Sequence, residues 1–431
     1  MRRTAAFLAM CALAAAGCSD GAAREAAPFE GVWRSDAFGS FVVIEGGSLQ
    51  VFEYTSVSCA PLVDSTARGI SDIASIVDDR LVVRDSGRVV AYDAVDALPE
   101  RCAEEFLTDD PRRTVEVVIA TIDEHYAFLA ERLPDWEAVR DTATGSVSET
   151  TTPAELFEIV TGLLGSLGDA QVRLAVDDPD LVAGSVWPPE SADPDAARIR
   201  SEITAGTFLQ PGWETLGDGG IVVGRTQGGS SYLALTRLVG FDDTTDEGIE
   251  ALAAAIDELI AGIGDAPGLV IDLRGNRGGL EVFAPVVASR FLDTERVVAR
   301  RTARVAGADE FVASGEVTVT PMPTGTYAGR VVVLIDPATA GAAELLVLAL
   351  RTQEGITLLG EPTAGSLSPI FPRGLPNNWI LGISNQRVYD ADGVLWEVSG
   401  IPPDETVALT SEDLDAGRDP VLQRADEILA G

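Results

Sequence analysis

The stretch Val331-Val332-Val333-Leu334-Ile335-Asp336-Pro337-Ala338-Thr339-Ala340-Gly341-Ala342-Ala343-Glu344 decides how this chain is read. A short, uninterrupted aliphatic run bounded by turn residues predicts a strand buried on both faces. Asp336-Pro337 ends it, and Ala342–Leu350 then reads as a helix. The same unit occurs earlier. There a helix over Ile249–Ile260 precedes the strand Leu269-Val270-Ile271, and a helical stretch runs from Val282 to Phe291. A further strand is predicted at Ile356–Leu359. Apolar strands separated by helices require crossover connections, so the sequence from residue 176 to 431 predicts a mainly parallel, two-sided sheet.

Toward the N-terminus the patterning changes twice. From Phe29 to about Arg101, short alternating apolar runs are punctuated by Gly46-Gly47 and Asp85-Ser86-Gly87, which predicts the hairpins of a small β domain over 29–107. Thr108-Asp109-Asp110-Pro111 then opens a helical subdomain, 108–175. Val115, Val118, Ile119, Ile122, Tyr126, Leu129 and Leu133 share one helical face. Thr152-Pro153-Ala154-Glu155 has the residues of a capping box, with proline at the first helical position. Much of 176–220 is rich in Asp, Pro and Gly and reads as loop. The expected fold class is therefore α/β in the broad, α+β multidomain sense.

Composition removes whole mechanisms. The 431 residues carry 68 acidic and 31 basic side chains, a net charge of −37 that is unsuited to nucleic acid. There is no lysine, and His125 is the one histidine. A serine–lysine dyad and a lysine Schiff base are thus impossible, and histidine-assisted nucleophiles would all depend on His125. A His-rich zinc site is equally excluded, and neither a metal nor a cofactor is expected.

Met1-Arg2-Arg3 and the apolar run Ala5 to Ala16 have the form of an export signal, closing on Ala15-Ala16-Gly17-Cys18. That ending resembles a bacterial lipobox, which implies lipidation of Cys18, a tether to residue 28 and an exported protein anchored in the periplasm or at the cell surface. A plain signal peptide with Cys18 incidental is the alternative. Cys59 and Cys102 remain as an even pair in an exported domain, either as a disulfide, contributing about 4 kcal/mol by loop closure, or as two buried thiols.

Four segments carry a resemblance, of which the quoted one and the one upstream of it are specific. Gly268-Leu269-Val270-Ile271-Asp272-Leu273-Arg274-Gly275-Asn276-Arg277-Gly278-Gly279 precedes the quoted segment. Gly360-Glu361-Pro362-Thr363-Ala364-Gly365 and Asp392-Gly393-Val394-Leu395-Trp396-Glu397-Val398-Ser399-Gly400-Ile401-Pro402-Pro403-Asp404 follow it. Their order and spacing resemble the tail-specific, or C-terminal-processing, serine peptidases, most of all the tricorn-core and retinoid-binding-protein-like branch. Asp123-Glu124-His125-Tyr126 and Leu164-Gly165-Ser166-Leu167-Gly168-Asp169-Ala170-Gln171 look like the helical subdomain of that branch, and Gly31-Val32-Trp33 like its preceding β domain. No PDZ module is evident.

The resemblance implies acyl transfer by a serine at a helix N-terminus, with an oxyanion held by backbone N–H groups at Gly278, Gly279 and Ala342. Carried over by residue, the nucleophile position is Gly341, which has no hydroxyl. The lysine position is Ser366, and the histidine position is Gln171, which is no general base near neutral pH. Glu397 alone keeps the family's residue type. The reading that follows is a peptide-binding pseudopeptidase whose partners are peptides or unfolded protein termini. One alternative is an active peptidase with a displaced nucleophile, Ser366 or Thr339 (Ser368 lies nearby), and another is a structural envelope lipoprotein. His125 is expected to be structural or solvent-facing. Glu344 suits the helix dipole, Glu397 is either functional or an exposed strand-end residue, and the arginines at 290, 296, 300, 301 and 304 are either ion-paired or a carboxylate site.

Overall fold

The computed structural model describes residues 26–67, 69–85, 88–169, 171–176, 186–187, 204–241, 244–323 and 326–431. The leader, Cys18 and most of the 176–220 stretch expected to be loop lie outside them. Strand order in the central sheet is Glu214–Leu216, Ile221–Arg225, Ser231–Leu235, Leu269–Asp272, Val331–Ile335, Ile356–Gly360 and Glu405–Thr406. The first two pairings are antiparallel and the others parallel, so the fold is the expected α/β, mainly parallel arrangement. The strand Glu214–Leu216 corrects part of the predicted loop, because it forms a hairpin with Ile221–Arg225.

The period of two sorts each aliphatic run between two cores. Leu269, Ile271, Val331, Val333 and Ile335 face Leu252 and Ile256 of the Thr245–Ala261 helix, Phe283 and the Ala342–Leu350 helix. Val270, Val332 and Leu334 face Val421, Leu422, Ala425 and Leu429 of the Pro420–Ala430 helix. An all-apolar strand is stable here because both faces are covered.

Residues 31–95 form a seven-stranded, wholly antiparallel sheet. The Cys59 and Cys102 sulfurs are bonded at 2.02 Å, tying this sheet to the segment that leads into the helices. Asp110 accepts from the Arg112 N–H to start the helix Pro111–His125, and Thr152 and Glu155 form the capping box of Pro153–Gly165. The first helix ends earlier than its apolar spacing predicts. Tyr126 turns to φ −69°, ψ 120°, and the chain resumes a single helical turn at Leu129–Arg132. The break is held by tertiary bonds, the Ala127 N–H to Ser384 O and Arg304 to Tyr126 O. Among the described residues no helix is long and apolar enough to cross a membrane.

His125 is fully buried, which corrects its solvent-facing alternative. Its ring lies against Gly39, where a Cβ would come within 2.4 Å of Nε2, and edge-on to Phe371. Burial, reinforced by the charges of Arg373 and Arg304, holds its pKa well below the usual histidine value. Four of the five clustered arginines are ion-paired: Arg290 to Asp257, Arg296 to Asp293, Arg300 to Glu316 and Arg301 to Glu281.

Arg274 fastens the C-terminal helix to the sheet. It makes paired bonds to Asp272 (2.7 and 3.0 Å) and to Asp419 (2.9 and 3.1 Å), and Asp419 caps the Pro420–Ala430 helix. All three are buried. Replacing Arg274 by Met leaves two buried carboxylates without a cation, and the expected loss is about 3–5 kcal/mol near neutral pH. Urea unfolding of the Arg274→Met variant checks this, with the deficit shrinking in acid as Asp272, whose pKa, against the effect of burial, the Arg274 charge helps to lower, takes up a proton.

Candidate functional site

Two neighbouring parallel strands end in loops that knit together. Asp336 Oδ1 accepts from Gly275 N and Ala338 N. Thr339 donates its hydroxyl to Leu273 O at 3.0 Å, and the Ala340 N–H donates to Asn276 O at 2.9 Å. The chain then reaches Gly341 at φ 59°, ψ −122°, immediately before the helix Ala342–Leu350. An L side chain is strained in that conformation, which glycine adopts freely.

A side chain at 341 would nonetheless have a definite direction. A Cβ built there lies 2.9 Å from Gln171 Nε2, so positions 341 and 171 face each other. The strand Arg173–Ala175 pairs with Ile380–Ser384 and carries the preceding segment to the 365–368 turn. There Gln171 Nε2 donates to Ser366 O at 2.8 Å, and its backbone N–H donates to Asp169 Oδ1.

Gly278 packs against the same turn: a Cβ on it would sit 2.7 Å from Ala340 O and from Ala342 N. Its own N–H is taken by Asn276 Oδ1 at 2.8 Å. Gly278 therefore supplies the close approach rather than the expected donor. The N–H groups of Gly279 and Ala342 have no acceptor among the described residues. Gly279 also forms a parallel bridge with Leu238, in which Leu238 N–H donates to Gly278 O and Leu280 N–H to Leu238 O. In that pattern the N–H and C=O of Gly279 point away from Leu238.

Carboxylates lie behind this surface. Glu344 is fully buried and accepts from Thr363 Oγ1 (2.5 Å), Gly365 N (2.9 Å), Ser366 N (2.9 Å) and Gly341 N (3.1 Å). Burial raises its pKa in spite of these bonds. Glu397 is buried, not an exposed strand-end residue. One oxygen accepts from Leu367 N and Ser368 N, while Oε1 has no hydrogen-bond partner. Arg132 stands 3.7 Å from that oxygen and 3.8 Å from Asp169, which also accepts from Tyr126 Oη at 2.8 Å. Burial, then the charges of Asp169 and Glu344, push the Glu397 carboxyl well above the usual range.

Sequence reasoning did not single out Arg132, Asp169, Tyr126 or Thr363 as members of this cluster. Asp169 stood inside the quoted Leu-Gly-Asp segment and could have been taken. Arg132 had no local signal, because only the helix break at Tyr126 brings it here. Thr339 is fully buried and its hydroxyl is committed, and Ser368 Oγ is buried without a partner. The Ser366 hydroxyl has no hydrogen-bonded base among the described residues. The arrangement thus offers two backbone donors and a set of carboxylates, with Gly341 and Gln171 facing each other.

The crossover sheet, with a tight turn and a helix N-terminus backed by a glycine loop, is the arrangement that the sequence resemblance implies. Residues 231–407 match the model of peptidase family S41, in line with the tail-specific protease resemblance of the sequence motifs. The chain is 29% identical over 167 residues to the carboxy-terminal processing protease CtpA of Bacillus subtilis (strain 168), covering 39% of this chain and 33% of that protein. It is also 29% identical over 186 residues to the carboxy-terminal-processing protease of Bartonella bacilliformis, covering 42% and 40%. The matches therefore span about a third to two-fifths of those relatives. Among solved structures, a candidate peptidase from Parabacteroides merdae aligns with TM-score 0.63 at 24% identity over 75% of this chain and 98% of its own. Mature CPAF bound to lactacystin aligns with TM-score 0.52 at 12% identity, over 74% and 97%. Both show the fold.

The carboxyl of Glu397 has its pKa raised by folding, so it costs stability once the pH climbs above the ordinary glutamate range, and the cost vanishes below it. Glu397→Gln is expected to stabilise the protein at pH 8 by about 1 kcal/mol and to have no effect at pH 4. Urea midpoints at the two pH values check this, and a loss at pH 8 would mean that an ionised pair with Arg132 holds the site.

Proposed function

We propose that this protein is a peptide-binding pseudopeptidase, exported and anchored through a lipid on Cys18. The single observation that carries the reading is the direct confrontation of Gly341 with Gln171. Acyl transfer at this position needs a hydroxyl and a group that takes its proton. Glycine supplies no hydroxyl, and a neutral amide that already donates to Ser366 O takes no proton. The cradle is a separate matter. The open N–H groups of Gly279 and Ala342 suit a peptide carbonyl or terminal carboxylate whether or not a bond is cut.

In this reading the ligands are peptides or unfolded chain ends, and the relatives from Bacillus subtilis and Bartonella bacilliformis are named as carboxy-terminal processing proteases. Residues 29–107 form a β domain, 108–175 a helical subdomain and 176–431 the core, with residues 1–28 as leader and tether. The protein would serve as a sensor or as a companion of an active relative.

The test is cleavage of an unfolded protein substrate, read by mass spectrometry, with the full-length protein beside the Gly341→Ser/Gln171→His double variant. The native protein is expected to leave the substrate intact and the double variant to cut it. Cleavage by the native protein would refute the reading. A folded double variant that does not cut would show that the cradle no longer supports the chemistry.

A further inference from the structure

Val398 is a β-branched residue at φ 71°, in the left-handed region where such side chains are outliers. It follows the buried Glu397, yet its own side chain is 49% exposed. Its backbone is held in place: Val398 N–H donates to Gly365 O at 2.9 Å, and a Cβ at Gly365 would lie 2.8 Å from Val398 C. Gly365 in turn donates to Glu344 and accepts from Arg132. The fold therefore holds an apolar, branched side chain in a strained conformation at the rim of the site, where glycine would relieve the strain and no burial of its own repays it. Strain of this kind marks positions kept for a ligand.

Near Gly341, which a Cβ on Gly278 would approach, the N–H and C=O of Gly279 are turned away from Leu238 and have no partner among the described residues. We propose that Val398 is a specificity-determining residue, which contacts an apolar side chain in the middle of an extended peptide laid along Gly279. This deepens the peptide-binding reading and rests on it. An extended chain fits because Gly279 offers one donor and one acceptor in strand geometry. An acidic segment is disfavoured, since the whole protein carries a net charge of −37.

The experiment is fluorescence anisotropy with the full-length protein and two labelled Gly/Ser nonapeptides with free ends, one with Leu and one with Asp at the central position. Val398→Gly and Val398→Ala are compared with the native chain, and thermal midpoints are recorded for all three. The expected result is tighter binding of the Leu peptide, and a loss of about fivefold in its affinity in both variants, with the Val398→Gly midpoint unchanged or raised. Native affinity for the Leu peptide in both variants would overturn the inference and leave the peptide-binding reading standing. So would a loss confined to Val398→Ala that tracks a lowered midpoint, because then the backbone and not the side chain is responsible. If the native protein binds neither peptide, both readings fall.

Discussion

Everything at the site hangs on the buried carboxylate of Glu344. It collects donors from Gly341, Thr363, Gly365 and Ser366, and so fixes the turn before the helix against the turn after the next strand. A carboxylate inside a core is tolerable only when its lone pairs are filled. Removing any of these donors would leave a charge or an acid without a partner. The Ser366 carbonyl that receives Gln171, the approach of Gly278, and the backbone of Val398 are all positioned relative to that one group.

On the proposed reading, this is how the scaffold outlasts its chemistry. The glycines at 278, 365 and 400 are required by close backbone approaches that do not depend on a reaction: a Cβ on Gly400 would come within 2.0 Å of Thr363 O. The carboxylates satisfy N–H groups of turns. Gln171 donates to the Ser366 carbonyl and so keeps the two segments together, and on the proposed reading it does this where a base would otherwise stand.

Much of the architecture was legible because it rests on local periodicity. The aliphatic runs at 269–271 and 331–335 could only be strands covered twice, and the helix from Ala342 to Leu350 appears at its predicted bounds. Illegible parts were those decided by distant partners. The apolar spacing from Val115 to Leu133 is equally good for one long helix, and the break at Tyr126 comes from bonds to Ser384 and Arg304 that no local pattern announces. Arg132 reaches the cluster only through that break. Burial of Glu397 and His125 likewise depends on elements far away in the chain.

The central claim is that the pocket lost its reacting groups and kept its shape. Labelling with a fluorophosphonate, read by intact mass and peptide mapping, tests it most directly. No adduct is predicted on the native protein, and one adduct at position 341 when Gly341→Ser and Gln171→His are combined. A stoichiometric adduct on Ser366, or on any other hydroxyl of the native chain, would contradict the account.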